Sequence, residues 1–139
     1  MPGKRILIIE DDLDDQFLLS EAFQNSHYRC ELDFAGDGRQ ALVKMDQSGY
    51  WPDLIILDLN MPIMNGFEVL SHFQAAKSMA RVPVIVLTTA ADSNSIERSY
   101  DLGATSFIVK PKTFSQLESI VDELTRYWFM TVRLSSLPG

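Results

Sequence analysis

The chain has one cysteine, Cys30, and two histidines, His27 and His72. A lone thiol cannot close an internal disulfide, which suits a reducing, cytoplasmic setting. The histidines lack metal-ligand spacing and read as surface residues. No apolar run approaches the ~20 residues of a membrane-spanning helix, so no membrane role is expected. Met1-Pro2-Gly3-Lys4-Arg5 runs directly into an apolar segment, so no secretory leader is expected. Basic residues are few: 12 Lys and Arg against 19 Asp and Glu leave a net charge of −7. That balance argues against a nucleic-acid surface, which needs a basic patch. There is no internal repeat, linker or low-complexity segment.

What is present is ordinary globular material of one domain's length, 139 residues with 46% hydrophobic and 22% charged. That is enough to build a real core. Apolar strands alternate with helical patterns. Strands are expected at Lys4–Glu10, Cys30–Ala35, Asp53–Asp58, Val82–Thr88 and Thr105–Lys110. Leu13–Ser26 reads as a helix, with Phe17, Leu18, Glu21 and Ala22 at helical spacing. Asp37–Gln47 turns Ala41, Leu42 and Met45 inward. Gly66–Ala76 follows, then Ser93–Leu102, capped by Asp92 or Ser93 and stopped by Gly103. A fifth helix starts after Thr113. The second strand alternates polar and apolar residues, which marks an edge. Five such units specify an α/β, doubly wound parallel sheet of order 2-1-3-4-5 with helices on both faces. The switch point then falls between strands one and three.

Four strand ends carry the chemistry. Ile6-Leu7-Ile8-Ile9 ends in Glu10-Asp11-Asp12, and Leu54-Ile55-Ile56-Leu57 ends in Asp58. Val84-Ile85-Val86-Leu87 ends in Thr88, and Phe107-Ile108-Val109 ends in Lys110-Pro111. In a parallel sheet these ends share one edge. Carboxylates gathered there repel unless a cation joins them, and a hard cation with oxygen ligands fits.

With Met61-Pro62 and Gly66, these motifs resemble the receiver domain of response regulators, the phosphoacceptor of two-component signalling. The resemblance spans roughly Lys4 to Trp128. It implies that Asp58 takes a phosphoryl group from a histidine kinase, as a phosphoacceptor rather than a turnover enzyme. It implies Mg²⁺ as cofactor, held by Asp11 and Asp58, by Glu10 through water and by the backbone oxygen of Asn60. Asp12 is then a loop or helix-start residue. Thr88 and Lys110 would contact the phosphoryl group. Phe107 matches the family's aromatic switch position, although plain core serves it equally well. The Lys110-Pro111 bond is expected to be cis. Thr89 stands where Ala or Gly is usual and narrows access, and Ala90 offers no polar group to orient a water.

Two rivals share the sheet. An aspartyl-nucleophile phosphatase usually has a second acid two residues after the nucleophile, where this chain has Asn60. A flavodoxin-like cofactor binder needs a phosphate loop where Glu10-Asp11-Asp12 would repel phosphate. Gly36-Asp37-Gly38-Arg39-Gln40-Ala41 matches a dinucleotide fingerprint, but the strand before it is half polar, so a helix-capping loop is expected.

The fifth helix has one inward stripe: Phe114, Leu117, Val121, Leu124 and Trp128. Tyr127, Phe129, Met130 and Val132 exceed it. They read either as a tail covering the core or as a surface for a homodimer or a downstream protein target. Residues 129–139 are taken as a C-terminal extension of a single receiver, with Ser135–Gly139 frayed. This ending resembles the small receivers that pair with bacterial phytochrome kinases.

Overall fold

Ile6–Ile9, Leu54–Leu57 and Val84–Leu87 are apolar at every position, and all are buried in the computed structural model, which describes residues 3–76 and 81–131. Such strands need cover on both faces, and the sheet supplies it. Its strands are β1 (Lys4–Ile9), β2 (Cys30–Ala35), β3 (Leu54–Leu57), β4 (Val84–Thr88) and β5 (Ser106–Val109). All pair in parallel, in the expected order β2-β1-β3-β4-β5.

The helices are α1 (Leu13–Gln24), α2 (Gly38–Met45), α3 (Gly66–Ala75), α4 (Ser93–Asp101) and α5 (Phe114–Arg126). Each begins at a polar cap: Asp12, Asp37, Asn65, Asp92 and Thr113 accept the backbone N–H three residues on. The glycine-rich segment before α2 is therefore a capping loop. Gly103 follows the last turn of α4 with φ +99°, a left-handed stop that any side chain would strain.

Strand alternation divides the core in two. Leu7, Ile9, Ile55, Leu57, Val84 and Val86 pack with Ala41, Met45, Val69, Leu70 and Phe73 of α2 and α3. Ile6, Ile8, Leu54, Ile56, Ile85 and Leu87 pack with α1 and α5 through Leu19, Ala22, Phe23, Leu117 and Val121. Burying these side chains is the main stabilising term, at roughly 1.5–3 kcal/mol for each fully buried large aliphatic.

Three expectations are corrected. In α1 the buried stripe is Leu19, Ala22 and Phe23, whereas Phe17 and Leu18 face outward at 62% and 37% exposure. Leu19, Ala22 and Phe23 stand at i, i+3 and i+4, one helix face, and Phe17 and Leu18 fall beside it. The Lys110–Pro111 bond is trans, as are all peptide bonds among the described residues. Trans is favoured even before proline. Phe129 does not stand free: with Trp128 it packs on the α1–α5 side of the core. After α5 the chain continues as a π-helical turn, Tyr127–Thr131. Its wider turn sets successive residues at a smaller angle, so both neighbours reach the core. Val132 and Ser135–Gly139 lie outside the described residues.

Candidate functional site: the acidic edge of the sheet

The register places the predicted residues together. Ile9 pairs with Leu57, so Glu10 and Asp58 leave β1 and β3 at the same level. Asp58 N–H donates to the Ile9 carbonyl at 3.0 Å, which ties the two strand ends. Thr88 pairs with Val109, so Lys110 emerges one step further along β5, its N–H on the Thr88 carbonyl at 2.8 Å.

The loop after Asp58 is shaped by two local constraints. Gly66 N–H returns to the Leu59 carbonyl at 3.0 Å. A Cβ at Gly66 would lie 2.5 Å from the Asp58 carbonyl oxygen and 2.7 Å from Leu59 Cα, so only glycine allows the approach. Ile63 holds φ +67° while 74% exposed, a conformation that a β-branched residue rarely adopts. Asn60 N–H makes a long 3.4 Å contact with Asp58 Oδ1.

Carboxylate oxygens of Glu10, Asp11 and Asp58 all lie within 4.8 Å of one another. Glu10 and Asp58 are buried and Asp11 is exposed. Lys110 Nζ enters from β5 and donates to Glu10 Oε1 at 2.6 Å, Asp15 Oδ2 at 2.7 Å and Asp58 Oδ2 at 3.4 Å. Burial, with a contribution from the charge of Asp58, pushes the Glu10 carboxyl up to about 8 against the opposing pull of Lys110. For Lys110, burial works against the charge, but hydrogen bonds to Asp15 and Glu10, with the charges of Glu10 and Asp58, together hold the ammonium above its ordinary range. It is a fixed positive charge.

The donor set suits a hard divalent cation. Carboxylates on Glu10, Asp11 and Asp58 offer three converging oxygens, the exposed side at Asp11 leaves room for water, and one lysine does not balance the negative charge.

Thr88 and Phe107, expected as switch residues, sit on the other side of the sheet from Lys110. Alternation along β4 sends Thr88 to the side of Val84 and Val86, the core that Phe107 also joins. Thr88 is fully buried, and its Oγ1 accepts the Ala90 N–H at 3.5 Å. Phe107 is half-buried, and its backbone N–H, on the edge strand, donates to Tyr100 Oη of α4 at 3.0 Å.

Asp12 caps α1, as expected. Asp15 was not foreseen. It is the third residue of α1, and its N–H is the one that Asp12 caps. The Asp-x-x-Asp spacing was visible, but an acidic first helical turn is explained by the helix dipole alone. At the far end, Tyr127 and Met130 are 50% and 65% exposed, in contrast to Phe129. Cys30 is half-buried beside Asp53, and burial first, then that charge, pushes its thiol up to about 11. His27 and His72 are exposed.

A parallel five-stranded sheet whose edge gathers three carboxylates and a lysine defines a class, and the family comparison agrees. The chain belongs to the response regulator receiver domain family, whose model matches residues 6–122. Within it the chain is similar to response regulator Rcp1 of Synechocystis, at 33% identity over 96% of this chain and 94% of that protein. Among solved structures it resembles the phosphorylated cyanobacterial phytochrome response regulator RcpA, at 36% identity and TM-score 0.90, covering 96% of this chain and 99% of that one. The Mn²⁺-bound form of Rcp1 matches at 33% identity and TM-score 0.87, with the same coverage. No helix among the described residues is long and apolar enough to cross a membrane.

Proposed function

We propose that the chain is a cytoplasmic phosphoacceptor that receives a phosphoryl group on Asp58 from a partner histidine kinase. The observation that carries this reading is the strand-end cluster itself: Asp58 buried, with Glu10, Asp11 and Lys110 converging on it. An Asp58 oxygen attacks phosphorus, the P–N bond of the donor phosphohistidine breaks, and the leaving imidazole takes a proton. The product is an acyl phosphate. Such transfer needs positioning and charge neutralisation more than covalent help. Asp58 is positioned by its tie to Ile9 and by the tight Gly66 turn. Lys110 offers its ammonium to the incoming oxygens, and Thr88 its hydroxyl. Mg²⁺ would be held by Asp11, Asp58 and the Asn60 carbonyl, with Glu10 acting through water, and when bound it supplies neutralising charge at the phosphoryl oxygens.

The added charge would draw Lys110 and Thr88 toward Asp58 and shift the α4–β5–α5 face between two populations. Thr88 and Phe107 share one side of the sheet, and Tyr100 joins α4 to β5, which supports that route. Exposed Tyr100, Val109, Tyr127 and Met130 give this face the apolar character of a contact surface, for a second copy of the chain or a downstream protein. Similarity to the phytochrome response regulators RcpA and Rcp1 supports a phytochrome-type kinase as donor.

The test is intact-mass measurement after incubation with acetyl phosphate and Mg²⁺. One phosphoryl group should be gained with Mg²⁺ present, and none when Mg²⁺ is chelated beforehand or in Asp58→Asn. Undiminished labelling of that variant would sink the assignment.

A further inference from the structure

Lys110 has three N–H donors and three carboxylate neighbours. The distances are unequal. Glu10 and Asp15 accept at 2.6 and 2.7 Å, whereas Asp58 lies at 3.4 Å, beyond ordinary hydrogen-bond length for a charged pair. Each carboxylate has a donor, but the ammonium sits closer to Glu10 and Asp15 than to Asp58. Asp15 is also the only one of the three that comes from a helix. Glu10 and Asp58 follow strands whose register ties them together, but Asp15 stands in the first turn of α1.

We propose that Asp15 is a positioning residue that holds Lys110 off Asp58 in the unphosphorylated protein. This rests on the reading of Asp58 as phosphoacceptor and deepens it. A Lys110 ammonium bound closely to Asp58 would cover the attacking carboxylate and compete with a divalent cation for its oxygens. Held by Asp15 and Glu10, the same ammonium stays within reach of the site while leaving Asp58 open. Once Asp58 carries a phosphoryl group, Lys110 exchanges Asp15 for a phosphoryl oxygen. The first turn of α1 then loses its contact with β5 in the same event. Asp15 makes no contact with the substrate in this scheme and acts only through Lys110.

The site can be tested without the reaction, with Mg²⁺ alone as the probe. Asp15→Asn keeps the shape of the side chain and removes its charge at a position with 35% side-chain exposure, where folding should survive. Calorimetric titration of the unphosphorylated protein with Mg²⁺ should show an affinity about tenfold weaker, the scale of one redirected charge-assisted contact. In a Lys110→Ala background the same substitution should change the affinity by less than about twofold, because no ammonium remains to redirect. The ¹⁵N resonance of the Lys110 ammonium should also move in Asp15→Asn and return toward its original position in Asp15→Glu. An equal loss of affinity in both backgrounds would mean that Asp15 acts through its charge alone and would overturn the proposal. So would an unchanged affinity, or an unmoved Lys110 resonance. A wild-type protein that binds Mg²⁺ with this Lys110 dependence, yet is never labelled at Asp58, would remove the phosphoacceptor reading and leave the Asp15 contact standing.

Discussion

Ile63 is the clearest case of a single residue held against its own preference. Its left-handed φ sits in the loop that carries Asp58 into α3, while its side chain is mostly in solvent. Asparagine tolerates this conformation far better. Ile63→Asn should therefore raise stability by about 1 kcal/mol in urea denaturation, and a fall in midpoint would show that the isoleucine side chain has a role in the fold. Glu10 gives a pH dependence whose sign follows from its burial. Its carboxyl is raised from 4.5 to about 8, so the folded protein binds that proton more tightly than the unfolded chain. The stability it contributes is complete below about 4.5 and is lost as pH rises through about 8. Urea midpoints without divalent cations should fall across that window. Saturating Mg²⁺ should flatten the fall, because a cation favours the ionised carboxylate. Midpoints that climb with pH in metal-free buffer would show that Lys110 outweighs burial at this group.

At the scale of elements, α4 and β5 are joined by one polar contact of note. β5 is the last strand of the sheet, and the Phe107 N–H faces away from β4 and donates to the Tyr100 hydroxyl. An uncovered edge invites pairing with another chain, and here a tyrosine occupies one of its donors. Tyr100→Phe removes the acceptor and keeps the ring. Amide exchange at Phe107 should accelerate, and stability should fall by roughly 0.5–1.5 kcal/mol. Unchanged protection at Phe107 would show that the ring, not the hydroxyl, screens the strand. The stacking of Arg98 over Phe67, 4.2 Å from the ring centre, links α4 to α3 as well. A shift of α4 would act on both neighbours.

For the molecule as a whole, the proposed contact face predicts an assembly. Tyr127 and Met130 project from the end of α5 and the following turn, whereas Phe129 and Trp128 serve the core. A charge at Phe129 would damage packing and confuse the result, so the informative variant is Tyr127→Asp with Met130→Asp. Sedimentation should show the wild type as a dimer, the commonest symmetric assembly, and the double variant as a monomer with an unchanged urea midpoint. A monomeric wild type would confine the exposed pair to partner binding or to no contact at all.

Much of this was legible in the residues. Unbroken apolar runs such as Leu54–Leu57 declare strands buried on both faces, and the edge-like strand Cys30–Ala35 fits the order that the sheet adopts. The caps Asp92 and Thr113 could be read from the residues before each helix. The strand-end residues Glu10, Asp11, Asp58, Thr88 and Lys110 followed because parallel strands share one edge, and register then brings their ends together. Other features were decided only by packing. Which face of α1 is buried depends on the rotation of the helix against α5, and that rotation buried Leu19, Ala22 and Phe23 in place of Phe17 and Leu18. Phe129 turned inward because the last turn widened, which no periodicity of 3.6 anticipates. Asp15 joined Lys110 because α1 packs beside α5 on one side of the sheet, with its first turn at the strand ends. The two residues stand 95 apart in sequence, and only the folded sheet brings a helix start within 2.7 Å of the lysine that follows β5.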